Sequence, residues 1–80
     1  MQIYVDFMNC DPQGRVRLNT VGSLRSISEL EGAGIALKDG MIVELSDKNF
    51  HPIHGVLEYS TEERIWAAHF KLEDLVPLPD

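Results

Sequence analysis

Residues Ile53–Phe70 read IHGVLEYSTEERIWAAHF. Two runs rich in β-branched and aromatic residues flank a polar Ser60-Thr61-Glu62-Glu63 segment, the pattern of a β-hairpin. Both faces of Ile65–Phe70 are apolar. That predicts a strand buried on both sides or packed against a partner.

Working outward, Gln2–Met8 alternates, with Ile3, Val5 and Phe7 on one face and Gln2, Tyr4 and Asp6 on the other, which predicts a half-buried strand. Asp11-Pro12-Gln13-Gly14 suits a type I turn, with Pro pre-setting φ and Gly closing the turn. Arg15–Asn19 alternates again, with Val16 and Leu18 inward, so the two runs predict a first hairpin. From Leu24 to Ile35 the apolar period becomes helical. Ser26-Ile27-Ser28-Glu29 matches a capping box, Ile27, Leu30 and Ala33 share a face, and Gly34 suits the left-handed position beyond a helix end, with Ile35 packing back. Gly32 weakens the interior, so one or two turns are expected. Lys38-Asp39-Gly40 reads as a turn, Met41–Ser46 as a third strand, Asp47–Pro52 as a polar loop holding Phe50, and Leu72–Leu75 as a short helical turn ended by Pro77 and Pro79.

Five short strands and one helix within 80 residues predict a single small all-β domain, a five-stranded SH3-like barrel. Closure would remove the sheet edges. An OB-fold fits less well, because its helix usually falls later. The alternative is an open antiparallel sheet covered by the helix and completed by dimerisation.

Composition narrows the function classes. The net charge of −6 falls entirely within residues 39–80, and residues 1–38 are neutral. Nucleic-acid binding needs a basic stripe, so it is not expected, and a basic protein partner fits the acidic half better. No apolar run approaches the ~20 residues of a membrane span, and the N-terminus lacks the pattern of a signal peptide. A cytoplasmic protein without membrane association is therefore expected. The single cysteine, Cys10, excludes an intrachain disulfide and a multi-cysteine zinc site. Its acidic neighbours Asp6 and Asp11 disfavour a reactive thiolate.

Gly14–Leu24 (GRVRLNTVGSL), Leu37–Leu45 (LKDGMIVEL), Gly55–Ser60 (GVLEYS) and Trp66-Ala67-Ala68 together resemble a group of small uncharacterised bacterial proteins. These are turn and core residues, so the resemblance implies an SH3-like barrel and lends no activity.

Three constellations remain. Tyr4, Arg15, Arg17 and Asn19 project outward by parity, and an Arg pair beside Tyr suits a protein-binding face or a carboxylate clamp. Tyr59 and Trp66 flank the second turn. Aromatics there can form a groove for a proline-rich or cationic ligand, which Glu58, Glu62 and Glu63 would favour, whereas a purely structural Trp66 would fill the core. His51, His54 and His69 have three imidazoles to offer a metal, with His54 and His69 expected roughly opposite in the hairpin. Pro52 and the lack of a matching Cys or carboxylate argue against a metal site. Glu62-Glu63 and Glu73-Asp74 are acidic pairs without a cleft between them, the serines lack a nucleophile-elbow context, and no glycine-rich phosphate loop precedes a helix. The expectation is a non-catalytic protein-interaction module without a cofactor, binding through Tyr4, Arg15 and Arg17 or through Tyr59 and Trp66, and possible as a homodimer. The alternative is a small-ligand binder, with its site at the barrel mouth or a dimer interface near Phe50, Trp66 and the histidines.

Overall fold

The computed structural model describes residues 1–79. Five strands, β1 (Gln2–Tyr4), β2 (Arg15–Arg17), β3 (Ile42–Asp47), β4 (Phe50–Ser60) and β5 (Ile65–His69), and one helix, α1 (Val21–Gly32), make a mostly-β domain. The sheet is mixed and open, in the order β1-β3-β4-β5-β2. No helix among the described residues is long and apolar enough to cross a membrane.

The Tyr59–Trp66 hairpin forms as expected, with Tyr59 opposite Trp66 and Ser60 opposite Ile65. The first hairpin does not. β1 runs parallel to β3, with Ile3 opposite Leu45, and β2 runs antiparallel to β5, with Val16 opposite Ala68. The two runs therefore lie at opposite edges of the sheet, and only a Cys10–Val16 bridge survives of their expected pairing. The reason lies in Asp6. Its side chain accepts from the Met8 amide at 3.0 Å and its carbonyl from the Asn9 amide at 2.9 Å, winding Phe7–Asn9 into a 3-10 turn that ends the strand. Asp47 fixes the turn from the other side, accepting from the Phe7 amide at 2.9 Å.

Closure into a barrel would require β1 to pair with β2, and the segment between them crosses as a turn instead. Each edge is nonetheless covered at one residue. Tyr4 donates its amide to Ser26 Oγ at 3.1 Å and accepts from Ser23 Oγ at 2.5 Å, while Arg15 exchanges backbone and side-chain bonds with Asp11. Such covering blunts the strand edges.

The helix starts earlier than its sequence pattern suggests. Thr20 is the N-cap and accepts from the Ser23 amide at 3.2 Å, so Ser26 is a buried interior residue whose hydroxyl serves β1. The end is as expected: Gly34 has φ +83, its amide donates to the Glu31 carbonyl at 3.0 Å, and the Ile35 amide reaches the Leu30 carbonyl at 3.0 Å, a Schellman motif. The expected loop at Asp47–Pro52 is instead a tight turn opening into β4, where a register shift lets His51 and Pro52 sit in the strand. Leu72–Asp74 forms the expected short helical turn.

Side-chain parity follows the alternation of the sequence. Ile3, Val16, Val43, Leu45, Leu57 and Ala68 are fully buried on the inner face, where each large aliphatic side chain stabilises the fold by ~1.5–3 kcal/mol. Phe7 closes one end of this core, edge-on to Phe50 at 5.4 Å and to Phe70 at 5.3 Å. Ala67 is buried on the outer face without a partner chain. It sits in register between Arg17 and Glu58, whose long side chains shade it.

Candidate functional site

The inner face is not covered evenly. Beyond Leu57, toward the β4–β5 turn, the row Leu18, Trp66, Tyr59 continues it. Leu18 is buried, Trp66 is half-buried and Tyr59 is exposed. The Tyr59 and Trp66 rings meet edge to face, 5.2 Å apart and inclined at 70°. Such pairs contribute ~0.5–1.5 kcal/mol beyond their buried area, which holds both rings in place.

Opposite Trp66 runs the connection from α1 to β3. Glu31, Gly34, Ile35, Ala36, Leu37 and Trp66 line an open groove of about 450 Å³. Its wall is fixed at both ends. The Schellman motif ties Gly34 and Ile35 to α1, while the Gly40 amide donates to the Leu57 carbonyl at 2.8 Å and the Tyr59 amide to Asp39 Oδ1 at 2.7 Å. The groove is therefore shaped by contacts within the chain itself, and its lining is apolar except for the Glu31 carboxylate, the Trp66 indole N–H and the backbone.

The Arg pair behaves differently. Arg15 and Arg17 do project from the outer face, but Tyr4 lies at the far edge, four strand steps or ~19 Å away. Both arginines are engaged within the chain. Arg15 meets Asp11 at 3.3 Å and Glu58 at 3.6 Å, and Arg17 meets Glu63 at 2.8 Å. His69 contacts the other oxygen of Glu58. Partial loss of solvent pushes the Asp11 carboxyl up, but the amides of Arg15 and Gln13 and the Arg15 guanidinium outweigh it, leaving its pKa below the ordinary 3.8.

The histidines are not opposite one another. His54 pairs with Glu44 and His69 with Val56. They do share a second groove of about 370 Å³, with Val56, Phe70, Lys71 and Asp74, where β5 leaves β4. His51 lies further along β4, its amide bonded to the Val76 carbonyl at 2.9 Å. No group of three or more His, Cys, Asp or Glu side chains is placed to hold a metal among the described residues. Phe50 packs against Phe7 at the opposite end of β4 from Tyr59, ~30 Å along the strand, so it does not join Trp66 in a site. Cys10 is a free, half-buried cysteine packed against the core.

The groove wall at Ile35–Leu37 carries no chemical motif, and sequence reasoning passed over it. Its two anchors were legible, Gly34 after the helix and Asp39-Gly40 before β3, but not that they frame Trp66.

Comparison with protein-family models, with curated proteins and with solved structures returns no match for this chain.

Proposed function

We propose that this chain is a non-catalytic protein-interaction module that receives an extended segment of another protein in the groove between Trp66 and the Gly34–Leu37 connection. The observation carrying this reading is the preformed aromatic wall: Trp66, locked edge to face against Tyr59, faces an apolar loop tethered at both ends. Binding hot spots favour large rigid aromatics in partly desolvated recesses. Preorganisation matters because ordering a loop on binding would cost affinity. The role is that of SH3-like modules, carried here on an open sheet. Tyr4, Arg15 and Arg17 support it less well, because the arginines already answer Asp11, Glu58 and Glu63 and would have to leave these partners to bind another.

A small-ligand role draws on one observation, the convergence of His54 and His69 on the second groove.

A photo-crosslinking side chain at Ala36, which is exposed and lines the groove, tests the leading reading. Irradiation in an extract of the native host should give one discrete adduct that excess wild-type protein competes away. Adducts arising from a crosslinker at Arg17 and not from one at Ala36 would move the binding face to the outer side of the sheet.

A further inference from the structure

We infer that the Trp66 groove takes an arginine side chain, presented by a basic segment of the partner protein. This inference rests on the interaction reading above and names the chemistry of the occupant.

The first ground is the electrostatics of the wall. The groove lies at the C-terminal end of α1, where the backbone carbonyls carry the negative end of the helix dipole. Helices ordinarily place Lys, Arg or His in this turn. Here the last turn holds no basic residue, and Glu29 and Glu31 stand there instead, adding negative charge where the dipole disfavours it. Among the described residues no ion pair involves Glu31. Lys38 follows the loop wall in sequence and Arg64 precedes Trp66, but neither lines the groove. On the other side of the wall the Asp39 carboxylate is turned to the Tyr59 amide. The recess is thus negative on its loop side with no cation supplied by its own lining.

The second ground is the shape of the other wall. A half-buried indole lines this wall, and a cation placed over an indole face is attracted by the ring quadrupole. Guanidinium suits this combination better than ammonium. It is planar, stacks on an aromatic ring, is more weakly hydrated, and keeps its edge N–H groups free to fork onto a carboxylate such as Glu31. Ile35 and Leu37 would cover the aliphatic stem. An anionic partner would meet the Glu31 carboxylate and the negative end of the helix dipole at once.

The test uses the one tryptophan of the chain, whose indole N–H gives a single resonance. Two capped pentapeptides, Gly-Leu-Arg-Leu-Gly and the same sequence with uncharged citrulline in place of arginine, are titrated into 15N-labelled wild type and Glu31→Gln protein. Glu31 is exposed, so this variant keeps the fold. The expected result is a saturable shift of the Trp66 indole and of the Gly34–Leu37 amides by the arginine peptide. Its Kd should be about two- to tenfold below that of the citrulline peptide, and Glu31→Gln should remove most of the difference. Equal binding of both peptides at these residues would overturn the arginine assignment and leave the interaction groove standing. No shift at Trp66 with either peptide, in folded protein, would overturn both. Indole shifts that follow protein concentration alone would assign the groove to a second copy of the chain and overturn the inference.

Discussion

The amide of Tyr4 donates to the hydroxyl of Ser26 at 3.1 Å, and the hydroxyl of the preceding helical turn, Ser23, donates to the carbonyl of the same Tyr4. In a parallel pairing alternate residues direct both backbone groups outward. Ile3 lies within the β1–β3 ladder and the Val5 amide bonds to the Ser46 carbonyl, so Tyr4 is the residue whose groups face the open edge. Two serines on one face of α1 therefore take the place of the next strand. They also tie the helix to the sheet, where its apolar contribution is small: Ile27 is its only buried hydrophobic residue among those described.

Removing this cover should have two separable effects. Ser26→Ala leaves the Tyr4 amide without its partner and should cost about 1 kcal/mol. In a domain of this size that lowers Tm by roughly 4–8 °C. Ser23→Ala with Ser26→Ala opens both backbone groups, and light scattering should then detect concentration-dependent self-association that the wild type lacks. An unchanged Tm in the double variant would mean that solvent satisfies the β1 edge equally well.

Gly14 is the second pressure point. Its φ is +80, a Cβ there would stand 2.2 Å from the Phe70 carbonyl oxygen, and its own carbonyl accepts from the Phe70 amide at 2.8 Å. The obstacle is backbone, so it cannot swing aside. Gly14→Ala should cost at least about 2 kcal/mol, the strain of the left-handed region adding to displacement of β2 from β5. Denaturant melts would read this as a lower midpoint, and a midpoint equal to wild type would contradict the tight approach of this turn to β5.

Asp11 supplies a pH dependence whose sign is fixed. Its folded pKa lies below the ordinary 3.8, so the carboxylate contributes stability that is fully present above that value and is lost as pH falls through the folded pKa. Asp11→Asn should therefore lower Tm at neutral pH, and the gap to wild type should shrink as the pH drops below 3.8. A gap that stays constant with pH would assign the loss to hydrogen-bond geometry alone.

How far the sequence led depends on what each pattern encodes. Alternation in Gln2–Phe7 and Arg15–Leu18 told which side chains face the core, and Ile3, Val5, Phe7, Val16 and Leu18 are all buried. It could not tell which strand lies alongside. Neighbouring runs look like a hairpin, whereas β1 pairs with a strand some forty positions on and β2 with one more than fifty on. The helix start is hidden in the sequence because Ser26-Ile27-Ser28-Glu29 imitates a capping box, while the true cap, Thr20, is followed by Val21 and Gly22, which are poor helix formers. Tyr59 and Trp66 stood out by residue type and by their position beside a turn. The groove did not, because its opposite wall is a connection of ordinary residues whose place is set by backbone hydrogen bonds to β4. The arginines were visible, but their pairing with Glu58 and Glu63 depends on a sheet order that local patterns do not carry.

The most direct test of the interaction reading sets its two candidate faces against each other. Immobilised wild type, Ala36→Arg, and the double variant Arg15→Ala with Arg17→Ala are incubated with extract of the native host, and bound proteins are quantified by mass spectrometry against a wild-type competition control. Ala36 is exposed in the groove, so arginine there fills the recess without entering the core. The account predicts a competable partner that is retained by the double variant and lost from Ala36→Arg. A partner retained by Ala36→Arg and lost from the double variant would contradict it and return the binding face to the arginines of β2.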